Sequence, residues 1–301
     1  MSLLLNLQDA VSQGILWGVM VLGVYITFRL LDVADLTVDG SFATGGGVCA
    51  ILLINGWNPV AATVMGMLAG AAAGAITGIL HTVCEIPAIL AGILTQLALY
   101  SINLRIMGKA NISMANVDSI FSWLTKATGW KQSQAALLIG VVIAVLIVIL
   151  LYWFFGTEIG AALRATGNNE DMVRALGENT KKIKIIGLSL SNALVGLSGA
   201  LICQSQKFAD VNSGLGAIVI GLAAIVIGEI LLGRLRSFGS KLAAVVVGSA
   251  IYFMIRAFVL WLGLNTNDMK LISAVIVVLA LSVPVLSQKW KIRRSYAKGG
   301  Q

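Results

Sequence analysis

Long apolar stretches alternate with short polar ones along almost the whole chain. Nine read as membrane spans, near 14–31, 42–57, 59–80, 87–104, 135–156, 183–205, 214–232, 242–262 and 271–288. A helix of about 20 residues crosses the roughly 30 Å hydrocarbon layer, and most of these runs are close to that length. The second is marginal: it contains Gly45-Gly46-Gly47 and Asn55, with Asn58 just beyond. A broken or re-entrant segment there is tolerated only where protein shields it from lipid. The pattern predicts an all-α integral membrane protein, a polytopic bundle of eight or nine transmembrane helices. No internal repeat and no Pro/Ser-rich linker divides it, so residues 1–301 read as one domain.

One polar island breaks this pattern. Thr157–Lys184 holds nine of the chain's 34 charged residues in 28 positions, and it must lie outside the lipid. Its grammar is that of two short helices. Thr157 is placed to cap the first and Gly167 to end it in a left-handed conformation. Asn168 is placed to cap the second, Asp171 favours its N-terminus, and Gly177 ends it. Asn179 or Thr180 then caps the returning span. A solvated loop does not need two capped helices, so the island reads as a surface that another protein grips, a helix-Gly-helix coupling segment.

Charge orients the chain. With Thr157–Lys184 placed in the cytoplasm, 14 of the 21 Lys and Arg residues fall on that side and six on the other, while Arg256 lies inside a span. The imbalance predicts an external N-terminus and a cytoplasmic C-terminal tail, Lys289–Gln301. The acidic run Asp32, Asp35, Asp39 sits at the inner end of the first span; it reads as capping for the marginal second span, with a shared cation as the lesser alternative. The longest external stretch is Arg105 to Gln134. Within it Val117, Ile120, Phe121 and Leu124 follow helical spacing, with Trp123 and Trp130 nearby. That predicts an amphipathic helix, either lying in the outer interface or packed on its neighbours.

Composition supports the class: 58% of residues are hydrophobic and 11% charged, where soluble domains carry about 25% charged. The net charge of +8 tracks the loops, which argues for anionic lipid and against nucleic acid as the partner. Cys49, Cys84 and Cys203 are too scattered for a metal or redox motif. His81 is the only histidine and begins no zinc-peptidase motif. Gly233-Arg234-Leu235-Arg236-Ser237-Phe238-Gly239-Ser240-Lys241 fails the spacing of a phosphate-binding loop, so any ATP must be bound elsewhere.

Several polar residues inside spans are candidates for the pathway of a solute: Gln96 and Asn103 in the fourth, Asn192 and Gln204 in the sixth. Interhelical hydrogen bonding is the competing role for each. Arg256 either snorkels to the outer surface or meets a carboxylate in the pathway. Glu229, close in sequence to Arg234 and Arg236, reads as a structural ion pair or gate.

The spacing Gly160-x-x-x-Arg164-Ala165-x-Gly167-x-Asn169-x-x-x-x-Arg174-Ala175-x-Gly177 resembles the cytoplasmic coupling segment of ABC importer permeases. The branched-chain amino acid, ribose and nucleoside permeases resemble it most, and Asp35–Phe42 and Leu99–Gly108 are similar to a subgroup of them. The resemblance implies a permease subunit in a bacterial plasma membrane, paired as a homodimer or with a relative. It implies cytoplasmic ATPases that bind the ATP and Mg, no cofactor or metal in this chain, and an extracytoplasmic binding protein that delivers a small solute, an amino acid in the first instance. Arg164, Gly167, Asn169, Glu170, Arg174 and Gly177 are then the expected ATPase-coupling residues. A secondary transporter or channel without an ATPase, or a membrane scaffold, remains the alternative.

Overall fold

The computed structural model describes residues 3–232 and 237–263 and a few positions between 268 and 282. The ninth predicted span, the cytoplasmic tail, and Arg234 and Arg236 lie largely or wholly outside the described residues. The described chain is helical, with one two-stranded exception. Helix α1 (Leu3–Tyr25) continues as a π-turn (Ile26–Leu30). Then follow α2 (Thr37–Ile54), α3 (Pro59–Thr82) and α4 (Ala88–Met107). Strand β1 (Asn111–Ser113) and the short α5 (Ile120–Thr128) precede α6 (Gln132–Phe154). Beyond the short pair α7 (Glu158–Asn168) and α8 (Glu170–Ala175) come α9 (Thr180–Gln206) and β2 (Phe208–Asp210). Helices α10 (Ala217–Leu232) and α11 (Phe238–Trp261) close the series. Seven of the described helices are long and apolar enough to cross a membrane, and α10, at 16 residues, is shorter.

The marginal second span is one continuous helix. It looked irregular because it is buried on nearly every side, so no polar face alternates with an apolar one. Its glycines serve contact with α9. A Cβ on Gly45 would stand 2.1 Å from the Gly196 carbonyl oxygen, and one on Gly199 would stand 2.0 Å from that of Phe42. Small residues let backbones approach in this way where lipid supplies no hydrophobic drive between helices. Helix α3 packs on α9 by the same device at Gly70 and Gly74.

The irregular part comes earlier. Ser191 Oγ donates to the Gly23 carbonyl (2.8 Å), and the adjacent Asn192 donates to Asp35 Oδ2 (2.6 Å). Asp35 therefore sits level with Gly23, about six residues or ~9 Å of helix above Arg29. The segment 31–36 doubles back into the bundle, and α2 starts inside it. Helix α10 also starts inside. Asp39 Oδ2 accepts from Gly216 N (2.9 Å) and Oδ1 from Ile218 N (3.1 Å), so this carboxylate caps α10 and not its own helix. Asp35 is the residue that caps α2, accepting from Thr37 N at 2.9 Å. The three acidic residues are thus dispersed, and no group of three His, Cys, Asp or Glu among the described residues can share a cation.

Helix ends sort into two groups. At one end Arg29 Nε donates to Glu229 Oε1 (2.9 Å), Lys181 lies 3.6 Å from Glu85, and α7 abuts the π-turn. At the other, β1 pairs antiparallel with β2, Gln204 accepts from Ile120 N (3.0 Å), and Gln132 donates to the Ser205 carbonyl (2.7 Å). The grouping is the one that alternate crossing of the bundle requires. Helix α5 carries its predicted apolar side inward, with Phe121 fully buried and Trp123 exposed, as is Trp130 just beyond the helix.

Candidate coupling site and outer cavity

The polar island folds as two short helices. Thr157 Oγ1 accepts from Gly160 N (3.3 Å), Asn179 Oδ1 from Lys182 N (3.1 Å), and Gly177 takes a left-handed φ of 89°. Two details of the sequence reading are corrected. Gly167 is not a left-handed terminus but lies within α7. It is glycine because α7 seats on the end of the first span: a Cβ there would stand 1.9 Å from the Leu30 carbonyl oxygen. The joint falls at Asn169, whose extended backbone (φ −157°) separates the helices and whose Oδ1, not that of Asn168, accepts from Met172 N at 3.0 Å.

Charged residues fix the pair to the bundle. Glu170 accepts from Lys184 Nζ at 2.5 Å, tying α8 to α9, and from Arg174 at 3.0 Å. Burial pushes the Glu170 carboxyl up, but its bonds to Lys184 and Thr180, with the charges of Lys184 and Arg174, outweigh this and leave it below the ordinary 4.5. Arg164 donates to the Phe155 carbonyl (2.9 Å) and lies over the Phe238 ring, 5.3 Å from its centroid. Arg164 and Glu170 thus bond back to the protein, Arg164 while remaining exposed, and Arg174 is largely exposed as well. The sequence reading missed the outward apolar pair Met172 and Leu176, exposed by 48% and 75%. Their i, i+4 spacing, from within the charged six-residue helix α8 to the residue that ends it, was the available signal.

The candidate pathway residues separate. Asn192 and Gln204 are fully buried within the subunit. Gln204 donates to Thr63 Oγ1 at 2.6 Å, and Asn192 holds Asp35. Both act in interhelical hydrogen bonds. Asn103 is buried with no partner for its amide among the described residues, and Gln96 is half-buried. Of the five candidates only Arg256 lines a cavity of about 760 Å³, which reaches strand β2. Glu229 pairs with Arg29, beside an inner cleft that also holds Arg164 and Lys241.

These features define a class: a multi-pass membrane protein whose spans carry, at one end, a docked pair of short polar helices. Comparison with known proteins gives the family. Residues 6–281 match the family model described as branched-chain amino acid transport system / permease component, and the chain belongs to that family. It is 40% identical to a tyrosine transport system permease protein of Clostridioides difficile over 91% of this chain and 90% of that one. It is 28% identical to the ribose import permease protein RbsC of Escherichia coli K12, over 92% and 85% of the two chains. The protein is a multi-pass permease component of the inner membrane.

Proposed function

We propose that this chain is the membrane-spanning subunit of an ATP-driven importer that carries an amino acid into the cell. The observation that carries the proposal is the docked pair α7–α8. It is seated on the end of the first span at Gly167, bonded to α9 through Glu170 and Lys184, and presents Met172, Arg174 and Leu176 outward. A partner that moves this pair moves the helices it is tied to. The partner is an ABC ATPase that binds the ATP and Mg; a second permease copy completes the pathway. A binding protein delivers the solute on the outer side, where Trp123 of α5 and Trp130 just after it are exposed. The amino acid is supported by the similarity to the tyrosine transport permease.

Purification of the tagged chain from its native membrane tests this. An ABC ATPase should co-isolate in stoichiometric amount and be lost on charge reversal at Arg174. Transport of solute by the isolated chain down an ion gradient, with no ATPase bound, would contradict it.

A further inference from the structure

The inner cleft beside the Arg29–Glu229 pair carries more positive charge than its own carboxylate balances. Its volume is about 590 Å³, and Arg29, Arg164 and Lys241 line it with Glu229 as the single carboxylate among the lining residues. Close contacts bring the three cations together from three elements. Gly167 of α7 seats on the carbonyl of Leu30, the neighbour of Arg29, and Arg164 lies three residues, or ~4.5 Å, earlier on the same helix. The Arg164 guanidinium lies over Phe238, 5.3 Å from its centroid, and Lys241 follows Phe238 by three residues on the same face of α11. One turn further on, the carbonyl of Ala244 abuts Gly228 of α10, the neighbour of Glu229. The ring closes where Glu229 takes Arg29.

Donors outnumber acceptors here. Both Glu229 oxygens are taken by Arg29, one through Nε at 2.9 Å and the other through a terminal nitrogen. Arg164 uses one of its five N–H groups on the Phe155 carbonyl, and Lys241 makes no ion pair among the described residues. The cleft also lies at headgroup depth. Tyr152 and Trp153, at the end of α6, are exposed by 57% and 69%, and such rings settle at the membrane–water interface. A Cβ on Gly239 would stand 3.2 Å from the Tyr152 ring, so the first turn of α11 is level with them. One turn deeper than Arg29 and Lys241 the lining is Tyr25 and Ala244, without charge, and α10 exposes Ile230 and Leu231 close by.

We propose that this cleft binds the phosphate of an anionic phospholipid from the leaflet on the α7–α8 side, one per subunit. Arg164 and Lys241 supply the open donors, and Arg29, held by Glu229, adds charge. Guanidinium and ammonium groups both bond phosphate oxygens, and each basic residue close to an anionic leaflet adds about fivefold in affinity. A soluble phosphate shares this chemistry; the depth and the apolar surface beside the cations favour the lipid. A headgroup held here touches α7 and α11 at once, and so ties the short-helix pair to a span other than the one it seats on. The inference goes beyond the import reading and needs no ATPase.

The full-length chain in a neutral detergent, titrated with phosphatidylglycerol or phosphatidylcholine and with bound lipid counted by native mass spectrometry, tests the site. One phosphatidylglycerol should bind at least about fivefold tighter than phosphatidylcholine. Lys241→Gln should weaken phosphatidylglycerol by about fivefold and leave phosphatidylcholine unchanged. Lys182→Gln, which removes an equal charge from the same end of the molecule, should leave both unchanged. Arg164→Gln should behave as Lys241→Gln does; if it misfolds, Lys241→Gln and the lipid series on the parent decide. Equal binding of the two lipids by the parent, parental phosphatidylglycerol binding by folded Lys241→Gln, or an equal loss in Lys182→Gln would overturn the site. Inorganic phosphate or glycerophosphoglycerol that displaces the lipid at a concentration equal to its own would make the ligand a soluble phosphate and sink the lipid assignment. Failure of an ATPase to co-isolate would leave these results untouched, so the two readings fail separately.

Discussion

At Gly167 the constraint is contact, not backbone conformation. Any side chain there meets the Leu30 carbonyl, where a Cβ would stand at 1.9 Å. Gly167→Val should push α7 off the first span at a cost of about 1–3 kcal/mol. The variant should insert normally and lose most solute-stimulated ATP hydrolysis in the reconstituted complex; parental hydrolysis would show that the seat is dispensable. Glu170 carries a pH dependence. Its folded pKa lies below 4.5, so its contribution to docking is complete above the unfolded value and fades as pH falls through the folded one. Protection of the α8 amides, taken relative to their intrinsic exchange rate at each pH, should therefore hold at neutral pH and decline only below about 4.5. Glu170→Gln should speed exchange at neutral pH and flatten that dependence. The group is partly exposed, so the effect is modest.

Among the membrane-spanning helices, α2 and α9 approach closely through their glycines. Gly45→Val places a Cβ 2.1 Å from the Gly196 carbonyl, whereas Gly140→Ala meets only side-chain atoms at 3.4 Å or more. The first should destabilise the bundle by at least about 1–3 kcal/mol and the second by less than about 0.5. Thermal unfolding in detergent measures both, and similar midpoints would contradict the packing. The spans and the α7–α8 pair were legible because hydrophobic period and capping residues are local signals. The doubling back of 31–36, the internal start of α10, the β1–β2 pair and the role of Gly167 were not. Each depends on a partner far along the chain, such as Asn192 for Asp35 or Gly216 for Asp39. Of the polar residues singled out inside spans, sequence alone did not separate Arg256, which lines a cavity, from Asn192 and Gln204, which tie helices together.

For the whole molecule, sidedness comes first. A cysteine at position 169, in a background lacking Cys49, Cys84 and Cys203, should resist an impermeant thiol reagent applied outside intact cells and react once the membrane is opened. Ready labelling from outside would reverse the topology. The proposed coupling to an ATPase is tested most directly by ATP hydrolysis. The chain reconstituted with its ATPase should hydrolyse ATP faster when solute-loaded binding protein is added. Arg174→Glu places a carboxylate beside Glu170 and Asp171 and opposes the partner's contact with Arg174. This variant should insert and fold as the parent does and show no stimulation. Equal stimulation of parent and Arg174→Glu, together with normal ATPase binding, would contradict the account.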